Sequence, residues 1–225
     1  MEIPPVKKLI VYEDDAILVV NKPANLPVLP DGWEPDSPYL VQLLKEKYPE
    51  LLVVHRLDKV TSGVMVFART PEAHRALNIQ FEKHDAQKVY HSICVGVPKW
   101  DEHTARHKLR VNVGHSHRTM VDNGHGKPAE TAFKVLKRYK SHGLLESVPA
   151  TGRTHQIRVH AYALGFPLLG DILYSAPKTD LIERPALHAQ SLTFTHPVSG
   201  ESLTFEAPYP DDFKKALRQL ASKVS

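Results

Sequence analysis

The chain has 225 residues, of which 42% are hydrophobic, so it is long enough to bury a full-sized core. Its 29 Lys and Arg against 25 Asp and Glu give a formal net charge of +4, which permits a polyanionic partner without requiring one. A single cysteine, Cys94, excludes a disulfide within the chain, and no apolar stretch has the length of a signal peptide or a membrane span. We therefore expect a soluble, cytoplasmic protein without a membrane partner.

The first third of the chain predicts strands, a proline-rich loop and two helices. An apolar run over 16–20 predicts a strand, which is followed by the proline-rich loop. Residues 39–48 carry apolar side chains at helical spacing, which predicts a short helix. Two further apolar runs, 53–54 and 64–67, predict strands joined by a polar turn. The Thr-Pro pair at 70–71 is typical of a helix start, so we expect a helix after these strands.

Strand patterns dominate the rest of the chain. Alternation or β-branched residues predict strands over 89–97, 108–113, 131–136 and 144–148. A helix is predicted from Thr154, as its N-cap, to Gly165, a hairpin over 192–205, and a C-terminal helix capped by Asp211 and Asp212.

These connections predict an α+β fold with a mixed, mainly antiparallel central sheet flanked by helices, because strict alternation of strands and helices is absent. No repeat or linker marks a boundary, so we expect one domain over 1–225 with its core at about 9–220.

The most informative stretch is His-Arg-Leu-Asp at 55–58, followed by Thr-Ser-Gly at 61–63. It places one carboxylate, Asp58, at a strand end within an otherwise apolar run, which is a typical location for catalytic groups. His55, three positions away, is expected on the opposite face of the strand and is therefore interpreted as structural. The stretch resembles the central signature of the RluA-type pseudouridine synthases. The resemblance implies that family's catalytic fold, an active-site cleft, and Asp58 as the nucleophile.

Four further stretches resemble the same family in the same order, and the last of them, from Leu187 to Pro208, is interpreted as scaffold. Asn-Lys-Pro-Ala-Asn at 21–25 has Asn25 where the family usually has glycine, and asparagine tolerates a positive φ angle. Lys-Val-Tyr at 88–90 matches the strand whose tyrosine stacks on the target base, which assigns that role to Tyr90. The third stretch, Thr151 to His160, implies that Ile157 packs against the base and that Arg158 pairs with Asp58 and keeps it ionised.

By this resemblance the protein is an RNA pseudouridine synthase, an isomerase that converts specific uridines of structured ribosomal or transfer RNA to pseudouridine and consumes no cofactor. Asp58 attacks either the ribose C1′ or the uracil C6, and both remain open. The target nucleotide must leave its stack, and Arg56 is placed to fill or hold the vacated position. The chain resembles a short member of the family without an N-terminal S4-type RNA-binding domain, and we expect a monomer.

Basic residues crowd the segment 103–127. Together with Lys22, three of its arginines, Arg106, Arg110 and Arg118, are our candidates for phosphate contacts, although a solvated basic loop remains an equal alternative. His103 and His107 are four residues apart, but without a helix pattern or a cysteine nearby we expect no metal site.

Two other classes of function remain open. A non-catalytic RNA-binding protein would keep the basic surface but would not need Asp58, Tyr90 and Arg158 together. A hydrolase could use Asp58, but the sequence offers no convincing second carboxylate or nucleophile–base pair.

Overall fold

Each folded unit of this protein is built from two separate stretches of the chain. The structure, a computed structural model, describes residues 3–32, 34, 36–114 and 118–222. Met1–Lys88 and Ala189–Pro208 form the first unit, and Val89–His188 and Tyr209–Ser225 form the second unit. The single domain predicted over 1–225 stays a prediction, and the two units are described separately.

The described elements follow one another in chain order. They are α1 (Val6–Leu9), β1 (Ile10–Glu13), β2 (Ile17–Lys22), α2 (Leu40–Lys45), β3 (Leu52–Val53), β4 (Ser62–Ala68), α3 (Pro71–Glu82), β5 (Gln87–Val95), β6 (Glu102–Val113), β7 (Arg118–Val121), β8 (Lys127–Arg138), β9 (His142–Pro149), α4 (Gln156–Ala163), a 3-10 helix (Ile172–Tyr174), β10 (Leu187–Thr195), β11 (Ser202–Glu206) and α5 (Asp211–Ser222).

The first unit is organised around strands β2 and β4. The strand order is β1-β2-β4-β10, with β3 paired to β4 and β11 paired to β10. Strands β2 and β4 are antiparallel, and Lys22 lies opposite Gly63 at the end that carries the His-Arg-Leu-Asp motif. Every residue of β4 is buried, because the strand is covered on both faces, as its continuous apolar run predicts.

The second unit contains the strand order β5-β9-β8-β6-β7. Strands β5 and β9, β8 and β9, and β6 and β8 all pair antiparallel. Helix α4 packs Ile157 and Ala161 into a core with Phe133 and Leu145, and helix α5 contributes Phe213 and others to a second core. Helix α4 is thereby held against the sheet by its apolar side.

Most predicted elements are confirmed, with shifted boundaries. Helix α3 begins as predicted, because Thr70 Oγ1 accepts a hydrogen bond from the Ala73 backbone N–H at 3.2 Å. The predicted N-cap at Thr154 is wrong: the N-cap position of α4 is His155, which has a left-handed backbone and makes no capping hydrogen bond. Among the described helices, none is long and apolar enough to cross a membrane.

Candidate active site

The carboxylate singled out by the sequence lies in a tight turn just before strand β4. The Thr61 N–H donates to the Asp58 carbonyl at 3.0 Å, which closes a turn over 58–61. Arg56 is exposed, Leu57 is buried and Asp58 is half-buried, so the backbone turns Leu57 inward and its two polar neighbours outward. Arg56, before the turn, and Asp58, its first residue, are therefore both accessible to a substrate.

Gly63 is required at the start of β4 by a close approach of two backbones. Its φ angle is +122°, and a Cβ atom there would lie 2.1 Å from the Ala189 carbonyl oxygen of the first unit. No other residue type fits without displacing the backbone. The glycine of the motif thus has a packing role that fixes where the turn ends.

His55 makes structural contacts, as predicted, although it lies after the end of β3 and is not part of a strand. Its Nε2 accepts a hydrogen bond from the Val66 N–H at 3.2 Å, and its ring stacks on Phe81 with centroids 4.4 Å apart. Burial, and then the nearby charge of Lys88, lower the pKa of His55 to about 3. The imidazole is therefore neutral at physiological pH and holds the motif against β4 and α3.

Lys22 does not occupy the exposed position that a phosphate contact needs. Its side chain is completely buried, and Nζ donates to the carbonyl oxygens of Pro23 and Leu26 at 2.8 Å and of Lys59 at 3.2 Å. The burial of Lys22 contradicts the prediction that it contacts a phosphate, because an ammonium enclosed by three carbonyls is stabilised by them and is shielded from solvent. Lys22 instead ties the loop after β2 to the motif turn.

The departure from the family pattern at Asn25 causes no break in this loop. Asn25 has a φ angle of 61°, the left-handed conformation that asparagine tolerates better than most residues. The prediction that the turn survives the replacement is confirmed.

Two of the predicted base-contacting residues belong to one apolar cluster of the second unit. Tyr90 lies on β5, opposite Ser147 of β9, and it packs against the core cluster that contains Ile157. Both side chains thus contribute to the cluster that forms where α4 packs on the sheet. An aromatic ring beside an aliphatic side chain can hold a flat pyrimidine by stacking and dispersion contacts.

Arg158 has a charge partner that the sequence did not predict. Its Nε and Nη2 donate to the two carboxylate oxygens of Asp171 at 2.7 and 2.8 Å, and both side chains are buried. The guanidinium also lies over the ring of Tyr174, 5.1 Å from its centroid. The pairing of Arg158 with Asp58 stays a prediction. Asp171 follows Gly170, and the sequence signal that could have drawn attention to it is a single carboxylate within an otherwise apolar run.

The first turn of α4, which carries Ile157 and Arg158, is anchored by the side chain of Gln156. Its Oε1 accepts from Thr151 Oγ1 at 2.6 Å, and its Nε2 donates to Thr131 Oγ1 and to the Glu130 carbonyl, each at 2.9 Å. Because these contacts join α4 to β8, they set the position of the two candidate site residues. Sequence reasoning missed this role of Gln156.

The basic segment forms an exposed stripe on strand β6. Arg106, Lys108 and Arg110 are all exposed at alternate positions, so they share one face, while Ala105 and Leu109 are buried. Two carboxylates accompany the stripe: Glu130 accepts from Arg106 at 2.9 Å, and Asp122 lies 3.5 Å from Arg110.

Arg118, the remaining candidate, is half-buried on β7, opposite Val113. His115 and His117 of the basic segment lie outside the described residues. Within the described part of the chain, no group of three or more His, Cys, Asp and Glu side chains is placed to hold a metal ion.

Comparison with known proteins gives a consistent match. Residues 16–163 match the family model of RNA pseudouridylate synthases. Ribosomal large subunit pseudouridine synthase D of Neisseria meningitidis is 41% identical over 231 residues, which cover 94% of this chain and 60% of that protein. The dual-specificity RNA pseudouridine synthase RluA of Escherichia coli is 39% identical, and the match covers 89% of this chain and 92% of that protein.

The fold matches a solved structure over its full length. The human RNA pseudouridylate synthase domain containing 1 superposes with a TM-score of 0.79 at 27% identity, covering 100% of this chain and 97% of that chain. The expected α+β pseudouridine synthase fold is thereby confirmed. The chain spans 60% of the length of the Neisseria relative, so it corresponds to a part of that protein. On the sequence match and the fold together, the chain belongs to the RNA pseudouridylate synthase family.

Proposed function

We propose that this protein isomerises uridine to pseudouridine within RNA. The N1–C1′ bond of the uridine breaks, the base turns, and a C5–C1′ bond forms, while N1 gains a proton and C5 loses one. The observation that carries the proposal is the half-buried carboxylate of Asp58 in the turn over 58–61, in a chain that belongs to the pseudouridylate synthase family. No cofactor is consumed, because the product is an isomer of the substrate.

Asp58 is the nucleophile of the proposed reaction, and it attacks either C1′ of the ribose or C6 of the uracil. Tyr90 stacks on the uracil, and Ile157 packs beside it, a division of roles supported by their membership of one apolar cluster. Arg158 pairs with Asp58 and keeps it ionised. Its bidentate contact with Asp171 supports this role, because two parallel hydrogen bonds fix the plane of the guanidinium.

The substrate is a structured RNA, ribosomal or transfer. This assignment is supported by the names of the relatives, one acting on the large ribosomal subunit and one of dual specificity. Arg56, exposed next to Asp58, fills or holds the position that the flipped uridine leaves. Arg106, Arg110 and Arg118 contact backbone phosphates. We expect the protein to act as a monomer in the cytoplasm.

The test follows release of tritium from RNA labelled at C5 of uridine, since isomerisation replaces the C5–H bond by a C5–C1′ bond. Total RNA that lacks the modification is incubated with the wild type, with Asp58→Ala and with Asp85→Asn, which removes an exposed carboxylate of the same unit. We expect release by the wild type and by Asp85→Asn, and none by Asp58→Ala.

Three outcomes would contradict the proposal. No release by the wild type would exclude the isomerase, and with retained RNA binding it would favour a non-catalytic RNA-binding protein. Release of free uracil would indicate a hydrolase. Activity in Asp58→Ala would remove Asp58 from the role of nucleophile.

A further inference from the structure

Lys59, the residue after the proposed nucleophile, is held at both its backbone and its side chain. It is one of the two central residues of the turn closed by Thr61 N–H and the Asp58 carbonyl at 3.0 Å. Because Asp58 and Lys59 share one planar peptide, a displacement of that peptide shifts the backbone of both residues. The contacts of Lys59 therefore bear directly on the aim of Asp58.

The backbone of Lys59 is fixed from the interior. Its carbonyl oxygen accepts from the buried Nζ of Lys22 at 3.2 Å, and the same ammonium binds the Leu26 carbonyl at 2.8 Å. The turn is thereby connected to the loop after β2, whose residues Leu26 and Val28 are almost completely buried. The backbone of Lys59 is therefore held by a buried lysine of the first unit.

The side chain of Lys59 is fixed from the solvent side by two carboxylates of the same loop. Its Nζ lies 2.8 Å from Glu34 Oε2 and 3.1 Å from Asp31 Oδ2, and Ser37 Oγ donates to Glu34 Oε2 at 3.2 Å. The hydrogen bond with Glu34 raises the pKa of Lys59, and the same bond lowers the pKa of Glu34, so this ion pair stays charged at neutral pH.

This arrangement is better suited to orientation than to stability. The side chains of Lys59 and Glu34 are 37% and 58% exposed, and ion pairs with that much exposure contribute little to the free energy of unfolding. Two carboxylates on one ammonium nevertheless restrict where the lysine, and the turn with it, can move.

We propose that Lys59 is a positioning residue, which Asp31 and Glu34 hold from outside and Lys22 holds from inside so that the Asp58 carboxylate stays aimed at the reacting uridine. This inference rests on the proposed function and deepens it. Lys59 acts through Asp58 and touches no reacting atom, so its loss reduces turnover more than substrate binding.

The experiment measures kcat and KM by tritium release, and stability by urea unfolding. For Lys59→Met we expect kcat to fall about 10-fold to 100-fold with KM changed less than about twofold. Lys59→Arg keeps the charge and restores most of kcat. Lys45→Met removes an exposed lysine from the end of α2 and serves as the matched control, with wild-type kcat.

The double variant Asp31→Asn/Glu34→Gln tests the same contact from its other side and does not depend on the folding of a Lys59 variant. We expect it to lower kcat as Lys59→Met does, and we expect no further loss when the two are combined, because both remove one interaction.

Two results would overturn the inference while leaving the proposed function intact. One is wild-type kcat in Lys59→Met. The other is tighter RNA binding with unchanged kcat in the double carboxylate variant, which would assign Lys59 to a phosphate. An inactive wild type would instead contradict the proposed function itself.

Discussion

A buried cation needs a partner, and for Arg158 that partner is Asp171, 13 residues further along the chain. The two parallel hydrogen bonds fix the plane of the guanidinium as well as its position. Any contact of Arg158 with Asp58 or with the substrate therefore starts from an orientation that Asp171 has already set.

Removing Asp171 should be costly to the fold. For Asp171→Asn we expect the free energy of unfolding to fall by about 3 kcal/mol, because Arg158 keeps its charge while losing its buried counter-ion. Urea unfolding measures the loss. The control Asp180→Asn, at an exposed position of the same unit, should change it by less than about 0.5 kcal/mol. Equal stability of the two variants would contradict the buried-pair interpretation.

Lys22 and Arg110 differ in environment although the sequence offered both as phosphate contacts. Lys22→Met should leave the slope of log Kd against log salt for RNA unchanged, because its ammonium is enclosed by carbonyls. Arg110→Met should reduce the slope by about 0.7 to 1, as expected for one lost phosphate contact. Filter binding at a series of salt concentrations measures both slopes. An equal reduction in the two variants would return Lys22 to the phosphate-contacting set.

At the scale of elements, the approach of two backbones decides where β4 can begin. Gly63 and Gly200 both have positive φ angles, but only at Gly63 would a Cβ atom meet another backbone, at 2.1 Å from the Ala189 oxygen. A comparison of the two positions separates the cost of the backbone conformation from the cost of the steric contact.

We expect Gly63→Ala to lower the free energy of unfolding by at least about 2 kcal/mol, because the conformation is strained and the contact displaces β4. Gly200→Ala should cost about 1 kcal/mol, since only the backbone conformation is unfavourable there. Thermal or urea unfolding gives both values. Similar losses in the two variants would show that the approach to Ala189 is relieved by a small shift.

The ends of helices and strands were predictable where contacts between neighbouring residues set them. They were not predictable where contacts with distant residues set them. Thr70 caps α3 through its own hydroxyl, which accepts from a backbone N–H only three residues along the chain. Such a local contact can be predicted from the sequence. Thr154 has the same hydroxyl, but α4 begins after His155, because Gln156 is held by Thr131 and Glu130 of a distant strand. Strand β6 begins at Glu102, earlier than predicted. The prediction missed this start because the first residues of the strand are polar and exposed, so they show no alternation of apolar and polar side chains.

At the scale of the whole molecule, histidines that are neutral in the folded state make stability depend on pH. Burial lowers the pKa of His160 to about 4, with a smaller effect from His107, and lowers that of His55 to about 3. In the unfolded chain both side chains would take up protons below about pH 6.5. The folded state excludes these protons, so stability is complete above pH 6.5 and falls as the pH falls toward the folded pKa values.

Between about pH 6 and 5 we expect the free energy of unfolding to fall by about 1.4 kcal/mol per pH unit for each of the two histidines. Urea unfolding at pH 7, 6 and 5 gives the slope, in a range where carboxylates with lowered pKa values contribute little. His160→Gln should reduce the slope by about half. A slope that does not change in this variant would contradict a neutral, buried His160.

The local features of this protein followed from its sequence: the strand–turn–strand around Asp58, the capped helix α3, the left-handed Asn25 and the motifs that identify the family. These depend on neighbouring residues and on periodicity, which a single chain displays. The folded structure was needed to show that Lys22 is buried, that Arg158 pairs with Asp171, and that Lys59 is bound by Asp31 and Glu34. The partner and the exposure of a charged side chain depend on residues that are distant in sequence. Folding brings those residues together, and the spacing of residues along the chain does not show which ones will meet.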